Sequence, residues 1–196
     1  MGKAERTKQL IIEKAATIYN EKGIAGATID EVLDAAKVAR GCLYGHFESK
    51  DALSYATVEF LLKKNEDVIM AYVNKEKTAK AKIFAYLNFS KNPLNTHIDG
   101  GCPMFNMAVE ADDNNPVIKE MVKDTILSGQ KFFTTILSTG IKNGEFKKTL
   151  DAKDFAYKMF AAIEGSTVIC RILGTNQPML SLIKSLKLEL EAHEVE

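Results

Sequence analysis

The chain has 196 residues, enough for one compact core or for a small module joined to a larger one. It is 46% hydrophobic and 27% charged, as in an ordinary globular protein, and no run approaches the roughly 20 apolar residues of a bilayer-spanning helix. Lys+Arg and Asp+Glu balance at 26 each, so a polyanionic partner has to be met by local placement of cations rather than by bulk charge. The polar start, Met1-Gly2-Lys3-Ala4-Glu5-Arg6, lacks an apolar signal segment, and a cytoplasmic location without membrane attachment is expected. Cys42, Cys102 and Cys170 form no CxxC pair, and with three scattered histidines they outline no zinc site. Reduced thiols, no metal and no cofactor are expected.

In chain order, Leu10, Ile11, Ala15, Ile18 and Tyr19 recur at steps of three and four and predict a helix over about 5–22, closed by Gly23. Thr28-Ile29-Asp30-Glu31 reads as a capping box that opens a helix over about 28–36. A short helix over about 39–45 follows, and a long one begins after Ser49, a suitable N-cap. A fifth helix spans about 79–90. Residues 91–101, with Pro93, Gly100 and Gly101, read as a loop. A short helix after Pro103 and a long one from Pro116 to about Asn143 come next, with Gly144 as its stop. Asp151 caps a helix over about 152–173, with Leu150 and Phe155 at the spacing of a hydrophobic staple and Gly174 as terminator. Pro178 starts a last helix that runs to about His193. The expected fold is all-α with about nine helices, no strand and no internal repeat.

Thr28 to Phe47, TIDEVLDAAKVARGCLYGHF, has the form of a helix-turn-helix: two short helices about a tight turn, with apolar residues inside. In that motif the second helix lies in the major groove of DNA with its early residues at the base edges. Arg40, Gly41 and Cys42 fall on that edge, while Leu43 and Phe47 face inward. Tyr44, His46 and Lys50 suit phosphate contacts, and small Gly41 permits close backbone approach. Residues 1–50 carry eight Lys or Arg and seven Asp or Glu, so any footprint is local. Lys3, Arg6 and Lys8 suit either a basic arm beside the minor groove or a solvated terminus.

This stretch resembles the DNA-binding signature of TetR-family regulators, an Ala-Gly-Val-Ser-Lys-Gly-Thr-Leu-Tyr-His-His-Phe-like run followed by Ser-Lys-Glu-Ala-Leu. The chain has Ala36-Lys37-Val38-Ala39-Arg40-Gly41-Cys42-Leu43-Tyr44-Gly45-His46-Phe47, then Ser49-Lys50-Asp51-Ala52-Leu53. The resemblance covers roughly residues 7–55. Three positions depart from it. Lys37 replaces the turn glycine, so it either takes a left-handed conformation or alters the turn, and it adds a candidate phosphate contact. Ala39 replaces a Ser or Thr cap, and Gly45 replaces a bulkier polar residue. The resemblance implies a helix-turn-helix DNA-binding domain over 1–50, with Thr28, Lys37, Arg40, Gly41, Cys42, Tyr44, His46 and Lys50 as candidate contacts. It implies a helical ligand-binding and dimerisation domain over 51–196.

In that second part Met179, Leu182, Ile183, Leu186 and Leu190 form an apolar stripe on the last helix. The helix before it presents Phe155, Met159, Phe160, Ile163, Ile169 and Ile172. These stripes are read as a dimer surface, as intramolecular core, or as both. A dimer fits operator geometry, because two recognition helices about 34 Å apart meet successive major grooves on one side of the duplex. A pocket for a small-molecule effector is expected among helices five to eight. Phe84, Leu87, Met104, Phe105 and Met107 are candidates for its lining, with Phe132, Phe133 and Ile136, and each of them also reads as core. Gly101-Cys102-Pro103-Met104-Phe105-Asn106 resembles a stretch of a TetR subgroup, some members of which sense electrophiles or oxidants through that cysteine. Cys102 at a helix N-terminus is therefore read either as a reactive thiol in the effector site or as a structural cap.

The expected function is a homodimeric, ligand-responsive regulator that binds double-stranded operator DNA. A repressor released from a palindromic operator by a small molecule or an electrophile is the leading form, with a transcriptional activator or a helical adaptor that has lost DNA binding as the alternatives. No nucleophile–base pair, phosphate loop or metal spacing is visible, so an enzyme is not expected.

Overall fold

Apolar spacing and end-capping residues dictate where this chain turns helical. The computed structural model describes residues 2–195, and among them nine α-helices follow one another. They are α1 (Lys3–Gly26), α2 (Ile29–Ala36), α3 (Arg40–Tyr44), α4 (Lys50–Val73) and α5 (Ala79–Ser90), then α6 (Pro103–Ala111), α7 (Pro116–Lys142), α8 (Ala152–Leu173) and α9 (Gln177–Ala192). The one β-type pairing among the described residues is an isolated antiparallel bridge between Phe146 and Glu194. No helix among these residues is long and apolar enough to cross a membrane. The all-α reading with about nine helices holds.

Two compact units result. One takes the chain up to Asn65 together with His97–Asp124, and the other takes Glu66–Thr96 with Thr125–Glu196. The chain passes from one to the other inside α4 and α7. The first unit thus gathers the start of α4 and all of α6 with the N-terminal helices, although both follow residue 50 in sequence.

In the first unit Ile11, Ile12, Ala15 and Tyr19 of α1 cluster with Val32 and Ala36 of α2 and with Leu43, Phe47 and Leu53. Gly23 breaks α1 with φ 76°, as its position in the sequence predicts, but the chain then makes one more turn to Gly26, which the pattern alone reads as irregular. That break frees backbone donors, and a carboxylate from α6 takes them. Ile24 N–H and Ala25 N–H donate to the two Glu110 oxygens at 2.9 and 2.7 Å. Further up the same face, buried Asn20 donates through Nδ2 to the carbonyls of Asp99 and Gly101 at 2.6 and 3.1 Å. Asn106 of α6 returns donors to Asn20 O at 3.0 Å, Asn20 Oδ1 at 3.1 Å and Gly100 O at 3.1 Å. Gly100 has φ 97°, and a Cβ there would stand 2.5 Å from the Asn20 carbonyl oxygen, so backbone approaches backbone at this point.

In the second unit Ile83, Tyr86 and Leu87 of α5 share one core with Phe133, Ile136 and Leu137 of α7 and with the inner faces of α8 and α9. Asp151 caps α8 as expected, accepting from Lys153 N–H and Asp154 N–H at 3.0 and 2.9 Å, and Leu150 and Phe155 are both buried beside it. Gly144 and Gly174 follow α7 and α8 with φ 78° and 65°. Gly140 of α7 sits where three parts of the chain converge: a Cβ there would stand 2.7 Å from Ala79 Cβ and 2.7 Å from ring carbons of Phe146. Gly140→Ala is therefore expected to destabilise the protein by about 1–3 kcal/mol through overpacking. A lower urea midpoint by circular dichroism is the measurement. Gly165→Ala, whose added methyl meets nothing within 4 Å, should keep or raise the midpoint, and equal behaviour of the two variants would refute the close approach.

Candidate functional site

A five-residue helix cannot persist in water by its own hydrogen bonds. α3 persists because Leu43, with no exposed surface, and Phe47, 4% exposed, pin it to the core formed by α1, α2 and the start of α4. With that side buried, Arg40, Gly41 and Tyr44 are exposed, and Cys42 and His46 are half-buried. The expected outward edge of the second helix is present.

The helix in front of it is set by its ends. Thr28 Oγ1 accepts from Glu31 N–H at 3.2 Å, and Thr28 N–H donates back to Glu31 Oε2 at 2.8 Å, closing the capping box. The Thr28 hydroxyl, offered by the sequence as a DNA contact, is engaged in this cap. At the far end Lys37 takes the left-handed conformation, φ 55° and ψ 43°, and among the described residues it is the one non-glycine with positive φ. Its N–H caps α2 by donating to the Leu33 carbonyl. The turn thus keeps the geometry of a glycine turn while presenting an exposed ammonium group. Ala39 supplies no side-chain cap to α3.

Arg40 leans back on α2, where its guanidinium donates to Asp30 Oδ1 at 2.5 Å. Both partners are largely exposed, so the pair contributes little to stability and is readily exchanged for acceptors on another molecule. Asp30 is a neighbour of the candidate contact Arg40 that pattern reading missed, because only the α2–α3 packing brings the two together. Lys50 is half-buried and its Nζ donates to the Ala27 carbonyl at 2.8 Å, so it ties the turn before α2 to the start of α4. Gly41 has nothing of its own chain within 4 Å of where a Cβ would stand, so the fold itself has no need of glycine there. Lys3, Arg6 and Lys8 lie in the opening turns of α1, with Lys8 Nζ 5.4 Å above the centre of the Phe47 ring.

The residues expected in one ligand pocket are split between the units. Cys102, Met104, Phe105 and Met107 belong to α6 and its cap in the first unit; Phe84, Leu87, Phe132, Phe133 and Ile136 belong to the second. Met107 and Leu87 are sealed in cores, and Phe133 stacks on Tyr86 at 4.3 Å between ring centres. Phe84 is half-buried under the ammonium groups of Lys80 and Lys187. Within the second unit, Phe132 and Ile136 do line a cleft of about 440 Å³ bounded by α4, the start of α5 and α7. No disulfide joins the cysteines, and no group of three His, Cys, Asp or Glu among the described residues is placed to hold a metal ion.

Of the two readings of the stripes on α8 and α9, burial in the single chain supports intramolecular core for most of the named residues, while Ile169 and Ile172 stay exposed. Phe155, Met159, Ile163, Met179, Ile183, Leu186 and Leu190 are at most 7% exposed in the single chain, and Leu182 is packed against the same core. The physical reason is that the strongest apolar stripes of two neighbouring helices bury each other first. A second, weaker stripe remains outside: Tyr157, Ile169, Ile172 and Leu173 on α8, and Leu180 and Leu188 on α9, with Ile172 82% exposed.

Against known proteins, residues 11–56 match the family model described as bacterial regulatory proteins, tetR family. Residues 79–186 match the one described as tetracyclin repressor-like, C-terminal domain. A crystal structure of a TetR-family transcriptional regulator from Cytophaga hutchinsonii is 30% identical, covers 100% of this chain and 98% of its own, and superposes with a TM-score of 0.90. The HTH-type transcriptional regulator TtgR of Pseudomonas putida is 24% identical over 83% of this chain and 79% of its own. The HTH-type transcriptional repressor DhaR of a Mycobacterium is 22% identical over 88% and 86%.

Two tests follow from this geometry. Replacing Gly41 by Ala should leave the melting temperature unchanged or slightly raised, since helical alanine outdoes glycine by about 0.5–1 kcal/mol. The same change should weaken duplex binding measured by fluorescence anisotropy. A variant that melts early would show that the fold, not a partner, requires the glycine. The second test is acid titration. The hydrogen bond and charge of Lys22, with the Thr28 donors, hold the Glu31 carboxyl down to about 2 from its ordinary 4.5. A depressed folded-state value stabilises above the unfolded value, and that contribution is lost as pH falls through the folded one. Thermal melts between pH 5 and pH 2 should therefore show Glu31→Gln with a flatter acid limb than the natural chain, and parallel limbs would exclude the linkage.

Proposed function

Because the chain belongs to the TetR family of bacterial regulatory proteins, DNA-binding transcriptional regulators rather than enzymes, we propose that it is a homodimeric repressor released from a palindromic operator by a small-molecule effector. The observation that carries this reading is the short α3, held from beneath by Leu43 and Phe47 with Arg40, Gly41 and Tyr44 turned outward. Arg40 leaves Asp30 and reads base edges, as arginine reads guanine. Gly41 admits the DNA backbone, while Lys37, Tyr44 and His46 meet phosphates and Cys42 lies beside them. Lys50 and Thr28 hold the frame.

Residues 1–50 carry DNA reading and residues 51–196 carry effector binding and dimerisation, in the cytoplasm. The dimer forms through the outer stripe of α8 and α9, where Ile172, Leu173 and Leu188 are the most exposed large apolar side chains of those helices. The effector occupies the cleft beside Phe132 and Ile136. α4 contains both Leu53, an anchor of the DNA-reading core, and the cleft residues Glu66 and Met70. A ligand that displaces its second half changes the spacing of paired recognition helices, and a coupling of about 1–3 kcal/mol suffices. The repressor relative DhaR supports the negative sign. An electrophile acting at Cys102 is a second route, since that residue is the N-cap of α6 beside Gly101, whose carbonyl accepts from Asn20.

The test selects bound fragments from the source genome and measures their affinity by anisotropy. Arg40→Ala should weaken specific binding by roughly tenfold or more with an unchanged melting temperature. Ile172→Glu should give a monomer by light scattering that no longer holds the operator. Indifference to duplex DNA even at low salt would overturn the proposal.

A further inference from the structure

The cleft has a chemical signature that names its occupant by class. We infer, resting on the effector reading above, that it takes a small amphipathic anion: an organic acid with an apolar body. Its volume, about 440 Å³, suits a small molecule. Met70, Ala79, Phe132 and Ile136 supply the apolar wall. Around them stand three ammonium groups, Lys77, Lys82 and Lys131, and none is ion-paired or hydrogen-bonded through its side chain to a described residue. Lys80, between two of these positions in sequence, is by contrast paired with Glu191 and Glu194 at 3.5 and 2.8 Å.

The acidic members of the wall, Glu66 and Glu145, offset part of this charge, and three ammonium groups against two carboxylates leave the lining net positive. Glu66 accepts from the Ser128 hydroxyl at 3.0 Å, and Glu145 accepts from the Lys80 N–H at 3.2 Å, capping the start of α5. Thr135 and Thr139 spend their hydroxyl protons on the carbonyls of Lys131 and Thr135 at 2.7 and 2.8 Å. The donors left for a ligand are the three ammonium groups and the amides of Asn74 and Asn143. A cationic ligand meets a lining of net positive charge, and a neutral one leaves the ammonium groups without a partner. An anion with an apolar body satisfies both the charges and the wall, through charge-assisted hydrogen bonds.

The probes are anilinonaphthalene sulfonate and the uncharged phenylnaphthylamine, titrated by fluorescence into the full-length protein, free and operator-bound. The sulfonate is expected to bind roughly tenfold tighter than the neutral amine, the sum of three modest ion pairs. The combined Lys77→Gln, Lys82→Gln and Lys131→Gln variant should lose that preference and keep its binding of the amine. Thr135→Trp, which fills the cleft from an exposed position, should remove both signals and so locate the site. Selective sulfonate binding without operator release upholds the anion inference and sinks the effector reading. Equal or tighter binding of the amine, with operator release, sinks the inference and leaves the effector reading standing. Absence of sulfonate binding, or a triple variant that binds sulfonate unchanged, also overturns the inference.

Discussion

Burying Leu43 and Phe47 is the constraint on which the rest depends. α3 is too short to exist alone, so its helical form and its outward edge are two results of one packing event. Two side chains that leave water on one side fix which groups remain in water on the other: the Arg40 guanidinium, the bare backbone at Gly41 and the Tyr44 ring. A DNA-reading surface needs rigid presentation of a few groups, and here rigidity comes from apolar burial beneath rather than from hydrogen bonds within. The cost appears at Lys37, which accepts a left-handed backbone so that the turn between α2 and α3 stays tight.

A second constraint is polar. The break at Gly23 would leave backbone donors without partners, and α6 answers it with the Glu110 carboxylate while Asn106 and Asn20 knit the loop at 99–101 to the same helix. Buried amides are expensive unless their hydrogen bonds are made, so this network fixes one relative setting of α1 and α6. The same helix α1 carries Ile11, Ile12 and Tyr19 into the core shared with α2 and with Leu43 of α3.

Apolar residues in the last two helices sort by strength. The denser stripe forms the core of the second unit, and the outer one, with Ile172 and Leu188, stays exposed in the single chain. The cleft follows a similar division. Phe133 and Leu87, the more obvious apolar candidates, are consumed by the core, and the cleft wall is left to the half-buried Phe132 and the edge of the core at Ile136, among lysines and hydroxyls.

Local chemistry made much of this legible without coordinates. Helix limits follow from capping residues such as Thr28, Ser49 and Asp151 and from Gly144 and Gly174, because these act on neighbours one turn away. The motif around Leu43-Tyr44-Gly45-His46-Phe47 was readable for the same reason: its inward and outward positions are set by helical periodicity within twenty residues. What the sequence did not determine lies in contacts between distant segments. The Arg40–Asp30 pair, the Glu110 clasp on α1, the distribution of the proposed pocket residues over two units and the division of the α8 and α9 stripes into buried and exposed residues depend on which faces meet. Periodicity says that a face is apolar but not what covers it, and only the tertiary structure decides between a neighbouring helix, a ligand and a second chain.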